Sequence, residues 1–275
     1  MQKKAGPGFY VFLVGFVFVI LFPFLWQFLA SLKPPGELFG ESAFKLFASN
    51  PTLDNYVRVF TLRPFGAYLW NSFVVASLTT VYCVFVAAIA AYAIARLHFR
   101  GKTLVLGLFL MVSMFPQIAT IAPIYLFMKS VNLTNSYWGL IIPYTTFALP
   151  LAVWNLTAFY RQIPYDLEEA ARVDGATVMQ TFWKVIFPLA VPGTFTTAIL
   201  VFIAAWNEFF FALTINTEET MKTVPVGIAL FQGRYTIPWG EISAASVIVT
   251  IPLVIMVLIF QRRIISGITA GAVKE

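Results

Sequence analysis

FYVFLVGFVFVILFPFLWQFLASL, residues Phe9–Leu32, is a run of 24 residues without a charged side chain. As a helix rising 1.5 Å per residue it is about 36 Å long, enough to cross the ~30 Å hydrocarbon core of a bilayer. Lys3 and Lys4 precede it, as basic residues precede a secretion signal, but the apolar core of such a signal is only about 7–15 residues. The run is therefore read as a retained first transmembrane helix.

The rest of the 275-residue chain has the same character. Hydrophobic residues make up 60% of it and charged residues 11%, against about 25% charged in an ordinary soluble domain. So much apolar surface is tolerated by lipid and not by water. Five further apolar segments follow, at about Trp70–Ala95, Thr103–Met128, Trp138–Tyr160, Val191–Leu213 and Ile242–Phe260. Prolines within them, such as Pro116, Pro143 and Pro252, are compatible with membrane helices, whose neighbours can satisfy the freed carbonyls. The expected fold is an all-α integral membrane protein of about six transmembrane helices, forming one domain over residues 1–275.

The net charge of +6 lies at the ends of apolar segments and forms no dense basic run, so no nucleic-acid partner is expected. With the N-terminus inside, the inner connections carry Lys3, Lys4, Arg96, Arg100, Lys102, Arg161, Arg172, Lys184, Arg262, Arg263 and Lys274, eleven cations against seven outside. The positive-inside rule then makes both termini cytoplasmic. The single cysteine, Cys83, excludes a disulfide framework and a Cys-based metal site; its expected role is packing.

Three connections are long enough to have functions: 33–69 and 214–241 outside, and 161–190 inside. In the inner one, Pro164 suits the first turn of a helix. Asp166, Glu168 and Glu169 follow, where carboxylates complement the helix dipole. Gly175 is placed to end that helix in a left-handed cap. Thr177 with Gln180 forms a capping box that opens a second helix, which Pro188 closes. Ala170 and Ala171 thin one face of the first helix, so another surface can approach its backbone. The chemistry favours a docking elbow over a plain connector.

Glu169-Ala170-Ala171, three residues, Gly175, nine residues, then Val185-Ile186-Phe187-Pro188 resembles the EAA motif of ABC importer permeases, E-A-A-x3-G-x9-I-x-L-P. Val185 and Phe187 are apolar departures from it. The resemblance extends to Asn50–Tyr56, Asn71-Ser72, Trp206–Phe209 and Val224–Gly227, which are similar to features of the carbohydrate-uptake branch. The 267–274 tail is similar to the C-terminus of the maltose-type subunit with six spans. The resemblance implies a type I importer permease fold and a coupling helix that seats in an ATP-binding subunit through Glu168, Glu169, Ala170, Ala171, Asp174 and Gly175. It implies a tail (about 261–275) reaching between two ATPase subunits through Gly267, Thr269, Gly271 and Lys274, and an outer loop (about 214–241) entering the sugar-binding protein. It further implies a second permease subunit as heterodimer partner, residence in a bacterial or archaeal cytoplasmic membrane, and uptake of a sugar, an oligosaccharide such as a maltodextrin. No cofactor is expected in this chain, since ATP and Mg2+ would be bound by the partners, and no catalytic residue is expected.

Glu208 is the one acidic residue inside an expected span, so it should face the bundle interior and find a partner. Together with Trp206, Asn207 and Gln117 it is a candidate for the translocation path; interhelical hydrogen bonding is the alternative for each. Gly101-Lys102-Thr103 is not a phosphate loop, because Arg96 stands where that loop needs glycine. His98 and the arginines Arg262 and Arg263 are read as surface residues and membrane anchors, and no metal site is expected. The rival function, an ion-gradient-driven secondary transporter of a small polar solute, lacks the internal repeats and broken helices usual for that class.

Overall fold

Helix formation in this chain follows its apolar runs, and helix ends follow its prolines and glycines. The computed structural model describes residues 6–231 and 237–272, with side chains to residue 261. Among the described residues there is no β-strand. The described chain divides into two compact units. One is drawn from residues up to 66 and from 227–252, the other from 67–226 and from 253 onward.

In the first unit, helix α1 (Pro7–Ser31) starts with Pro7, whose missing N–H is not needed there. Only Ala30 and Ser31 of its 25 residues are buried. That exposure fits a lipid-facing helix. Its last carbonyls are closed by the Asn50–Tyr56 segment. Asn55 Nδ2 donates to the carbonyls of Ser31 and Lys33 at 2.9 and 2.8 Å, and the Thr52 amide donates to Leu32 O at 2.9 Å. These are the carbonyls a helix end leaves without intrahelical partners. Helix α2 (Asp54–Thr61) adds an ion pair from Arg58 Nε to Glu241 Oε1 at 2.9 Å.

In the second unit, α3 (Phe65–Arg96) and α6 (Tyr137–Gln162) are unbroken helices long and apolar enough to span a bilayer. Ala87, Ala88 and Ala91 of α3 share a buried cluster with Ala152, Val153 and Leu156 of α6. Cys83 is buried in the same cluster as a free thiol. Gly193 marks another close approach: a Cβ there would lie 2.3 Å from the Phe159 ring of α6.

Two of the expected spans are not single helices, which corrects the expectation that this chain has no broken helices. The third apolar segment breaks into α4 (Lys102–Ser113) and α5 (Gln117–Ser130), bent by 92°. Pro116 sits at the break in extended backbone; it offers no N–H and pushes its predecessor out of the helical region. The fifth breaks at Asn207–Phe209, between α9 (Val191–Trp206) and α10 (Phe210–Ile215). Before α9 come α7 (Asp166–Val173) and α8 (Val178–Leu189), the latter bent by 76° from α9. The chain ends with α11 (Val224–Ala229) and α12 (Trp239–Ala272). Among the described residues four helices are long and apolar enough to cross a bilayer, and up to six spans result if each bent pair counts as one.

Candidate functional site: the elbow at residues 161–190

The elbow is built from two complete capping motifs. Helix α7 carries Asp166, Glu168 and Glu169 in its first turn. It ends in a Schellman arrangement: the Gly175 amide donates to Arg172 O at 3.0 Å and the Ala176 amide to Ala171 O at 2.9 Å. Gly175 has φ +78°, a left-handed conformation that costs an L-residue roughly 1–2 kcal/mol. One residue on, Thr177 Oγ1 accepts from the Gln180 amide at 3.3 Å, and Gln180 Oε1 accepts from the Thr177 amide at 2.8 Å. This reciprocal box opens α8. A π turn at Phe182–Ile186 then precedes Pro188. The wider turn accommodates a residue that cannot donate to the preceding carbonyl ladder.

The two faces of α7 differ sharply. Glu169, Ala170, Asp174 and Gly175 are exposed, and the apolar Val173, Val178 and Met179 stand beside them at 88%, 50% and 56% exposure. Ala171 is nearly covered, and Glu168 is fully buried at 0%. Glu168 therefore departs from the expectation that placed it on the docking face. Spaced three residues apart, Glu168 and Ala171 share the inward face of the helix, while Glu169 and Ala170 project outward. The Glu168 carboxylate pairs instead with Arg96 at the end of α3, Nε to Oε1, at 2.9 Å. Arg96 is itself only 7% exposed, and its Nη2 donates to the carbonyls of Tyr160 and Ile163 at the end of α6.

A second grouping lies in the spans. Gln117, Tyr144, Leu151, Leu200, Ala204 and Glu208 line one groove. The Glu208 carboxylate accepts from the amides of Phe211 at 2.9 Å and Ala212 at 3.2 Å, so it caps the start of α10. The buried Tyr144 hydroxyl stands beside it, without a hydrogen bond of good geometry between them. Trp206 and Asn207 do not join this groove. Trp206 is buried against the Phe202 ring, centroids 5.7 Å apart. Asn207 is exposed and donates to Ile203 O of its own helix at 2.8 Å.

At the opposite ends of α3 and α6 from the elbow, the 214–226 stretch is fastened to the bundle. Asn71 Nδ2 donates to the carbonyls of Thr220 and Lys222 at 2.8 and 2.9 Å, while its Oδ1 accepts from the Tyr137 hydroxyl at 3.0 Å. Ser72 Oγ accepts from the Val224 amide at 2.8 Å. The tail residues Gly267, Thr269 and Gly271 continue the backbone of α12, but their side chains, and Lys274 entirely, lie outside the described residues.

Residues 83–269 match the family model of the binding-protein-dependent transport system inner membrane component. The chain belongs to that family. It is a multi-pass transport permease, and ATP hydrolysis resides in separate subunits. The permease is 48% identical over 256 residues to the trehalose transport system permease protein SugB of Mycobacterium tuberculosis, with 92% of both chains covered. It is 47% identical to the trehalose/maltose transport system permease protein MalG of Thermococcus litoralis, covering 93% of this chain and 92% of that one. It is 43% identical to the sulfoquinovosyl glycerol transport system permease protein SmoH of Agrobacterium fabrum, covering 92% and 89%. In fold it matches a bacterial ABC transporter involved in the import of the acidic polysaccharide alginate, with TM-score 0.78 at 22% identity over 95% of this chain and 99% of that one.

Sequence reasoning located the elbow of the permease and missed what holds it. Arg96 reads in sequence as one more inner cation at a helix end. Nothing in spacing links it to Glu168, 72 positions later. Only the parallel packing of α3 and α6 brings their last turns, and the helix that follows α6, to one place.

Proposed function

We propose that this permease carries a small glucose-type oligosaccharide, of the trehalose or maltose class, into the cytoplasm. In this reading a solute-binding protein delivers the sugar and a pair of ATPase subunits drives the movement. The observation that carries the reading is the outward face of α7. Glu169, Ala170, Asp174 and Gly175 are exposed together with bare Val173, Val178 and Met179. Such apolar surface on a capped, rigid elbow outside the spans calls for a protein partner. The names of the relatives at 48% and 47% identity support the sugar class.

The elbow then faces the cytoplasm, which follows from the balance of Lys and Arg in the connections. Glu169 meets a basic group of the ATPase, and Ala170 lets the two backbones come close. ATP with its Mg2+ is held by the ATPase pair, and a second permease subunit completes the pathway beside the groove at Gln117 and Glu208. Closure of the ATPases moves the docked elbows, and the bundle switches between discrete packings. The 214–226 stretch faces the solute-binding protein, and the tail at Gly267, Thr269, Gly271 and Lys274 reaches toward the ATPases.

The test is uptake of radiolabelled trehalose and maltose into liposomes holding the complete transporter. Uptake should require ATP, the ATPase subunits and the binding protein, and should survive an ionophore. Loss of uptake with the ionophore alone would move the protein to the ion-coupled class. Gly175→Trp, strained at φ +78° and bulky on the docking face, should leave the bundle inserted while the ATPase subunits no longer co-purify.

A further inference from the structure

The covalent link between α6 and α7 is short: Ile163 in extended backbone, Pro164, then Tyr165. A force applied to the outward face of α7 would swing the helix about this link unless a second point held it. The structure contains that second point. Glu168 projects from the inward face of α7 and meets the Arg96 guanidinium, Nε to Oε1, at 2.9 Å. The same guanidinium donates to the carbonyls of Tyr160 and Ile163. One side chain thereby joins the last turn of α3, the last turn of α6 and the first turn of α7.

The surroundings are closed and aromatic. The Tyr165 ring lies 5.8 Å from the guanidinium carbons of both Arg96 and Arg172. Tyr92, one turn before Arg96 on α3, packs on Phe182 of α8 with centroids 4.9 Å apart. Both arms of the elbow are thus tied to α3, the first by charge and the second by rings. The pair is a charge contact without a hydrogen bond of good geometry, and neither Glu168 oxygen has a hydrogen-bond partner among the described residues. A carboxylate so placed adds little as an adhesive, because its desolvation offsets most of the attraction. Its effect is positional: separating the pair strands two buried charges.

We propose that Glu168 and Arg96 are positioning residues for energy coupling, an internal strut that converts a push on the elbow into movement of α3 and α6. This assignment rests on the elbow being the ATPase dock, and it takes Glu168 off the docking surface.

The experiment compares variants of the complete transporter in liposomes, reading ATPase co-purification, ATP hydrolysis and labelled trehalose taken up per ATP. Glu168→Gln keeps the shape of the side chain and removes its charge. It should retain the ATPase subunits and hydrolyse ATP, while uptake per ATP falls about tenfold, the scale of a typical coupling free energy. Glu169→Gln, one residue away on the exposed face, should do the reverse and weaken ATPase association. A merely structural role for Glu168 would lower all three readouts together. If Glu168→Gln sheds the ATPase as Glu169→Gln does, or if it keeps native uptake per ATP, the strut is refuted. Should Glu168→Gln fail to accumulate, the doubly neutral Arg96→Met/Glu168→Leu answers the same question: retained ATPase with poor uptake per ATP supports the strut, and native coupling refutes it. Gly175→Trp reads the dock separately. Normal ATPase co-purification there refutes the dock itself, whatever Glu168 does.

Discussion

The two ends of α3 hold their neighbouring connections by opposite means. At Arg96 the elbow is locked by a buried ion pair and an aromatic cluster. At Asn71 and Ser72 the 214–226 stretch is held mostly by neutral hydrogen bonds to backbone groups, with one bond from the Tyr68 hydroxyl to the exposed Glu219 carboxylate beside them. The difference is mechanical. A buried charge pair has one good geometry and a large penalty for losing either partner. Neutral hydrogen bonds to carbonyls are each worth about 1 kcal/mol and are easily exchanged for water. The elbow end is suited to carrying force, and the Asn71 end to releasing a loop piece by piece.

Removing one charge at the elbow tests this contrast most severely. Arg96→Ala leaves Glu168 buried without its counter-charge and frees two carbonyls of α6, so we expect a loss of about 3–5 kcal/mol and a large fall in thermal stability of the purified permease. A melting temperature within a degree or two of the native one would erase the contrast. Asn71→Ala, at the other end, removes two donated bonds and one accepted bond, and should cost about 1–3 kcal/mol. Hydrogen exchange should rise over residues 216–224 and stay unchanged over 166–190. Spread of the effect to the elbow would show that the two ends are not independent.

Smaller changes sharpen the picture. Thr177→Ala breaks the capping box of α8 and should cost about 1 kcal/mol, read as faster exchange at the amides of Met179 and Gln180 with Arg96–Glu168 undisturbed. Lys222→Gln removes the ion pair with Glu219; the Glu219 side chain is 53% exposed and that of Lys222 14%. A pair open to solvent on its carboxylate side is worth only about 0–1 kcal/mol, so the melting temperature should fall only slightly. A marked loss would give the loop end an electrostatic hold comparable to that of the elbow.

Much of the elbow is visible in the linear order of residues because helix caps are local. Thr177 with Gln180, and Gly175 after Arg172, act within a turn of themselves, and their expected roles match the observed hydrogen bonds. The apolar runs predict spans for the same reason. The breaks at Pro116 and at Asn207–Phe209 were less legible, since proline inside a membrane run is tolerated in α1 and α6 and breaks the helix at Pro116. The groove residues divide in the same way. Gln117 and Glu208 come together across helices, while Trp206 and Asn207, adjacent to Glu208 in sequence, turn elsewhere when the helix stops.

Composition and local pattern by themselves determined that this chain enters a membrane as helices and carries a capped elbow with a small-residue face. Those properties depend on hydrophobic length and on hydrogen bonds between near neighbours. Which of two adjacent glutamates faces outward, and that Glu168 meets Arg96, was decided only by the tertiary structure. Helix phase sends residues 168 and 169 about 100° apart, but the parallel packing of α3 and α6 supplies the buried counter-charge that makes the inward position tenable.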